Sequence, residues 1–375
     1  MEKPLEGFTI LDFSQFLAGP FASLRLADLG AEVIKVERPG IGDSYRRNHG
    51  PALKLNGDNA AFYYVNRGKN SISVDLKNSQ DREKLLPLLR RADVMLINFR
   101  PDATRKLGLD YESVRAENPG IVYGEITGYG ADSPWKDRPG QDLLVQGYTG
   151  ACYLNGSGPD PVPFGVSVAD EFSGMYLVQG ILAGLYHKQK TGQGCKVETS
   201  LAEAMIDIEF ENFGAFLNSG RELSPRSRVN GVNPCHGAPY GIYETRDGSM
   251  ALAMTSVPEL GKLLGCEAIV CYEKKSDWFD RQDEIKLALR EHLAKETTSH
   301  WLEILEAADI WCAPVYNWEQ LTADEGFQAL DMLQTIERDG TAFETTRCPI
   351  KIDGTYLKNM RPVPKIGEHN QYYGI

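Results

Sequence analysis

Short apolar runs recur along the first half of the chain, with amphipathic stretches between them. "FTILDF" (8–13) reads as a buried strand, and "AEVIKVE" (31–37), "SISVDL" (71–76), "DVMLINF" (93–99) and "IVYGEITGY" (121–129) continue the series. "FASLRLADLG" reads as a helix from about Phe21 that stops at Gly30, and a second helix is expected over 79–91. Strand, helix, strand at this spacing implies βαβ units, and so a mostly parallel sheet with helices on its faces. "CKVETS" (195–200) adds a further strand, and "LAEAMIDIEFENFGAFL" (201–217) reads as one long helix.

The pattern changes after Ser219. "GRELSPRSRVNGVNPCHG" (220–237) is rich in Gly, Pro, Asn and Arg and reads as a linker or functional loop. "APYGIYETRDGSMALAMT" (238–255) is expected to form a hairpin turned at "RDG". Residues 258–308 read as helical, and "HWLEILEAADIWCAPV" as a helix that ends before a Pro-containing strand. The expected organisation is an α/β large domain over 1–220 and a smaller α+β domain over 225–325. The Pro-rich tail "RPVPKIGEHNQYYGI" is expected to pack back, so that 326–375 returns to the large domain.

Composition narrows the function. The 375 residues are 42% apolar, enough for a sizeable core, and carry a net charge of −12. That balance argues against a nucleic-acid partner and against an anionic membrane surface, while leaving room for a local basic pocket. No stretch is apolar for long enough to suggest a membrane span, and "MEKPLEGFTILDF" lacks the features of a secretory leader. The seven cysteines are scattered and never spaced CxxC, so neither a disulfide framework nor a zinc site is expected, and a reducing, cytoplasmic setting fits.

Candidate sites follow from the same text. The first strand-to-helix turn, "DFSQFLAGPFAS", lacks the GxGxxG of a dinucleotide fold, although Glu37 ends the second strand where such a fold holds a ribose. A nicotinamide or flavin enzyme is therefore disfavoured. The six histidines (His49, His187, His236, His292, His300, His369) form no HExxH pair, and neither GxSxG nor GxxxxGK[ST] occurs. Arg38, Lys77, Arg100, Arg105 and Lys106 recur at strand ends or in adjoining loops. Gathered at the carboxyl edge of a parallel sheet they would hold a polyanion; singly they are ordinary loop residues.

Asp170 stands out in "FGVSVADEFSGMYLVQGILAGLYHKQKTGQG" (164–194). Its structural role would be N-cap of a helix starting at about Glu171. Its chemical role would be a carboxylate kept ionised by the first-turn amides in an apolar pocket, able to attack a carbonyl. The small or apolar neighbours Gly165, Val166, Val168 and Ala169 leave room for a bulky substrate. Gly174, Gly180 and Gly184 thin one side of the helix for close packing.

With these residues in place, the sequence resembles the class III CoA-transferases along nearly its whole length. The resemblance rests on the number and order of "LDFSQFLAGPFASLRLADLGAEVIKVERPGIGD", "NRGKNSISVDLK", "ADVMLINFRPDATRKLGL", "NPGIVYGEITGYG", "VSVADEFSGMYLVQGILAGLYHKQKTGQGCKVETSLAEA", "GAPYGIYETRDG" and "IGEHN". It implies a Rossmann-like large domain plus a small domain, and two chains interlocked as a homodimer. It implies an enzyme without a permanently bound cofactor, taking coenzyme A as acyl-CoA and exchanging it onto small carboxylic acids. Asp170 matches the aspartate that forms the covalent intermediate. Arg38, Lys77 and Lys106 match basic residues that hold CoA, with Arg105 a neighbouring candidate. Val74 lies beside the adenine site, and Asn98 and Phe99 line the same cleft. Gln15, Phe16 and Leu17 face the thioester end.

Two departures bear on mechanism. Some family members cover the carboxylate with consecutive glycines; here "NGVNPCHG" (230–237) offers only Gly231 and Gly237, and His236 is a candidate to reach toward the acyl group. Family racemases use a His–Asp acid/base pair whose histidine lies in a "GHD" segment after the fourth strand. This chain reads Gly140-Gln141-Asp142, and Gln141 cannot shuttle a proton. Transfer is therefore preferred over racemisation, with a non-catalytic acyl-CoA-binding protein as the third reading. Asn233, His236, Tyr240 and the cationic Arg226 and Arg228 hint at a polar or dicarboxylic acyl group.

Overall fold

The computed structural model describes residues 3–47, 53–222 and 225–375. His49 and part of the 220–237 loop lie outside them. The chain divides into two compact units: 1–145, 166–205 and 331–375 form the first, and 146–165 with 206–330 the second. The division expected from sequence kept 146–165, 206–220 and 326–330 with the large domain.

The first unit is built on a six-stranded, all-parallel sheet. Its strands are β1 (Thr9–Asp12), β2 (Glu32–Glu37), β3 (Asn70–Ser73), β4 (Val94–Ile97), β5 (Val122–Thr127) and β6 (Cys195–Ser200). They lie in the spatial order β3-β2-β1-β4-β5-β6, the doubly wound arrangement, whose winding reverses between β1 and β4. The burial explains the apolar runs: every residue of β4 is buried, and β2 is buried from Val33 to Glu37. The mixed α/β expectation with a mostly parallel sheet is met.

Helix α1 (Ala18–Asp28) follows β1, and α2 (Ser79–Arg91), capped by Asn78, spans the expected residues. The longest helix, α3 (Val168–Thr191), ends at Gly192 in the left-handed conformation. Its glycines meet neighbours closely. A Cβ at Gly174 would lie 2.8 Å from the Ala18 carbonyl oxygen, and one at Gly180 2.4 Å from Val197. The helix expected over 201–217 is instead two, α4 (Leu201–Ile208) and α5 (Phe210–Asn218), broken at Glu209.

The tail belongs to the first unit and finishes its sheet edge. Asn370 Oδ1 accepts from the Ser73 amide at 2.8 Å, the His369 amide donates to Ser71 O at 2.9 Å, and Tyr373 Oη donates to Glu32 at 2.8 Å.

The second unit carries the expected hairpin, β7 (Gly241–Glu244) and β8 (Ser249–Leu252), extended by β9 (Cys312–Pro314). Helices between 257 and 307 pack on it around Tyr243, Leu260, Leu289, Trp301 and Leu305. No helix among the described residues is long and apolar enough to cross a membrane.

Candidate active site

Ligands of open parallel sheets bind beyond the carboxyl ends of the strands, where the winding reverses. In the first unit that point holds a cleft of about 590 Å³ between the ends of β1 and β4. Its walls include Gln15, Phe16, Leu17, Asn98, Phe99, Gln141 and Asp170. With Arg100, eight of the residues singled out from sequence thus meet in one place.

The segment after β1 is held firmly. Gln15 and Asn98 form a reciprocal pair across the reversal point: the Gln15 amide donates to Asn98 Oδ1 at 2.9 Å, and Asn98 Nδ2 donates to Gln15 O at 2.8 Å. Phe16 adopts φ +63°, the left-handed region that a residue with a bulky Cβ substituent rarely occupies. Such a conformation costs about 1–3 kcal/mol and persists only where surrounding contacts impose it. Leu17 then opens α1 without any side-chain cap, and its amide has no hydrogen-bond partner among the described residues.

Asp170 is not the N-cap expected from sequence. Helix α3 begins two residues earlier, at Val168, so Asp170 lies inside its first turn. The capping bond comes from Asp142, whose Oδ1 accepts from the Ala169 amide at 2.8 Å. Nor do the helix amides keep the Asp170 carboxyl ionised at low pH. Burial pushes its pKa up to about 7, and the nearby Asp142 and Glu171 push the same way. The side chain accepts no hydrogen bond among the described residues, and it faces Tyr45, whose phenol is also raised by burial and by the Asp170 charge. A partly desolvated carboxyl poised near neutrality has little of its reactivity tied up in hydrogen bonds.

The other expected ligands lie outside this lining. Arg38, directly after β2, is exposed; Val74, directly after β3, is buried, and its amide donates to Glu37 O at 2.9 Å. Lys77, Arg105 and Lys106 are exposed, Arg105 being paired with Asp102. All five lie after the carboxyl ends of β2, β3 and β4, along the same edge of the sheet.

Two cations of the cleft were not singled out from sequence: Lys136 and Arg138, in the loop after β5, with Arg138 stacked 3.9 Å above the Trp135 ring. Arg100 joins them on the wall. A search for cations directly after strands passes over that loop; the basic–aromatic cluster "WKDR" was the available signal.

His236 and Gly237 belong to the second unit. His236 stacks on Tyr240 with ring centroids 4.7 Å apart, and its Nδ1 is buried without a hydrogen-bond partner among the described residues. Gly237 packs against the backbone of Trp278, where a Cβ would approach the carbonyl oxygen to 2.6 Å. The Arg226 guanidinium donates to the Asn155 and Asp160 carbonyls.

Residues 5–370 match the model of CoA-transferase family III. The chain is 36% identical to a succinate–glutarate CoA-transferase of Agrobacterium fabrum, over 98% of this chain and 94% of that protein. It is 30% identical to an acetyl-CoA:oxalate CoA-transferase of Acetobacter aceti, over 97% and 93% respectively. Among solved structures, a CAIB/BAIF family protein from Brucella suis is similar, with a TM-score of 0.85 and 31% identity over 99% of this chain and 98% of that one.

Proposed function

Because the chain belongs to CoA-transferase family III, and is an enzyme that moves CoA between an acyl-CoA and a carboxylic acid, we propose that it does so through covalent intermediates on Asp170. The observation that carries this reading is the position of Asp170: a carboxyl on the wall of the first unit's cleft, in the first turn of a helix, that accepts no hydrogen bond among the described residues.

The steps balance as follows. An Asp170 oxygen attacks the donor thioester carbon; the C–S bond breaks, leaving a mixed anhydride and CoA thiolate. The thiolate attacks the aspartyl carbon, expelling the donor acid with the bridging oxygen and leaving an aspartyl-CoA thioester. The acceptor carboxylate attacks that carbon and displaces the thiolate, giving a second mixed anhydride; the thiolate then attacks the new acyl carbon, and Asp170 leaves as the free carboxylate. Each attack develops an oxyanion, which needs a preorganised donor. The Leu17 amide, which has no partner among the described residues, is the candidate on the cleft wall. A carboxylate is a weak nucleophile, so proximity and exclusion of water must supply much of the rate.

Arg38, Lys77, Arg105 and Lys106 are assigned to the phosphates of CoA, Val74 to the adenine side, and Asn98 and Phe99 to the wall between. Arg100, Lys136 and Arg138 add positive charge to the cleft. The relatives' named acids, succinate, glutarate and oxalate, support a small dicarboxylate as one exchanged acid. His236 and Gly237 are kept as candidates for the acyl end. The seven cysteines are free, which suits a reducing cytoplasmic setting. A homodimer is supported by Phe172, Met175, Leu182 and Tyr186, which form one exposed apolar stripe along α3.

The test is incubation with an acyl-CoA and an acid labelled with ¹⁸O in its carboxylate. Transfer predicts a new thioester and, over repeated turnovers, one labelled oxygen in the released donor acid. Deuterium uptake at the α-carbon without a new thioester would instead identify a racemase, and binding without turnover would remove the enzyme reading for these substrates.

A further inference from the structure

We propose that Lys35 is a positioning residue for the transferase reaction, its buried ammonium holding the 14–16 backbone in the conformation that presents the Leu17 amide to the cleft. The proposal rests on the transferase reading above and adds to it.

Lys35 sits in the interior of β2, between Ile34 and Val36, and is fully buried. A lysine there is expensive unless paired and hydrogen-bonded. Its Nζ makes an ion pair with Asp43 Oδ2 at 2.9 Å and donates to Ser14 O at 2.8 Å. Asp43 in turn uses Oδ1 to accept from the Phe16 amide at 3.2 Å and from the Tyr45 amide at 2.9 Å. A second buried pair adjoins the first: Lys69 Nζ lies 3.2 Å from Asp12, and Asp12 Oδ1 accepts from the Ser14 amide at 2.9 Å. All four charged groups are buried, and their charges balance.

Every polar backbone group from the Ser14 amide to the Phe16 amide is thereby held by a side chain of the sheet or of the segments that follow its strands. Asp12 takes the Ser14 amide and Lys35 the Ser14 carbonyl; Asn98 takes both groups of Gln15, and Asp43 the Phe16 amide. The next amide, that of Leu17, is the first left without a partner among the described residues, and it lies where the cleft begins. Phe16 at φ +63° is what turns the chain between the two. Lys35 touches this segment directly through Ser14 and indirectly through Asp43. Removing its charge leaves a carbonyl and a carboxylate buried without their cation, so the left-handed turn loses the contacts that impose it. Lys35 does not line the cleft and touches no reacting atom.

The experiment compares Lys35→Met, Lys35→Arg and Arg67→Met with wild type. Arg67 is an equally buried cation, paired with Asp28 away from this segment. Steady-state kinetics are combined with quenched mass spectrometry of the acyl-CoA adduct on Asp170. The expected result for Lys35→Met is kcat and adduct formation slowed about tenfold or more, with KM for acyl-CoA changed less than about threefold. Lys35→Arg should recover part of the rate, and Arg67→Met should lose thermal stability while keeping kcat. If Lys35→Met does not fold, Asp43→Asn is read by the same criteria. Wild-type kcat in the folded variant, a loss confined to KM, or an equal loss of kcat in Arg67→Met would each overturn the proposal. An adduct that does not depend on Asp170 would instead overturn the reading beneath it.

Discussion

At the scale of single residues, the charge on Asp170 is decided by competition. A helix start favours a carboxylate by up to ~2 kcal/mol in the best geometries, whereas burial and two neighbouring acids oppose ionisation, and here the opposition wins, with the pKa pushed up to about 7. Attack requires the ionised form, so single-turnover acylation should rise with pH around a midpoint near 7. A flat rate between pH 5.5 and 8.5 would contradict this. The same shift bears on stability. Between about pH 4 and 7 the unfolded chain has released a proton that the folded chain keeps, so stability falls as pH climbs through that window. Asp170→Asn removes the penalty. It should match wild type near pH 4 and exceed it by roughly 2–4 kcal/mol above pH 7 in denaturant titrations. A gap of equal size at both pH values would show that ionisation is not the cause. Asp170 was legible in the sequence because an acid among small and apolar residues is unusual. Its surroundings were not, because the acid that caps the helix start, Asp142, lies 27 residues upstream of Ala169, whose amide it accepts from. Lys35 was passed over because a residue inside a strand is normally read for its burial, not for what its terminal atom reaches.

At the scale of elements, α3 is seated by close approach. Gly174→Ala would bring a methyl to 2.8 Å from the Ala18 carbonyl, backbone that opens the loop-bearing helix α1. The expected outcome is a stability loss of about 1–3 kcal/mol, measured by chemical unfolding, together with reduced kcat. Unchanged stability would mean the contact relaxes freely. The tail acts on the opposite edge. Asn370 pins the end of β3 next to Val74 through the Ser73 amide and hydroxyl. Asn370→Ala should raise KM for acyl-CoA roughly tenfold with kcat little changed; a change in kcat alone would detach the tail from CoA binding. Periodicity revealed these strands and most helices, since the buried runs are long and continuous. It did not reveal the break at Glu209, where the apolar pattern runs on without a Gly or Pro.

At the scale of the whole molecule, the sheet order follows from the strand–helix alternation, and the position of the cleft follows from that order. The membership of 146–165 in the second unit does not, because it depends on contacts with residues more than fifty positions later, such as Thr149 with Glu209. The apolar stripe on α3 predicts self-association: light scattering at micromolar concentration should give twice the chain mass, and a monomer would remove the homodimer reading. The central claim is that one carboxyl of the first unit carries CoA during turnover. It is tested most directly by mass spectrometry of the intact enzyme after treatment with acyl-CoA. A CoA adduct that maps to Asp170 and is absent from Asp170→Asn is expected; the same adduct in that variant, at wild-type level, would contradict the assignment.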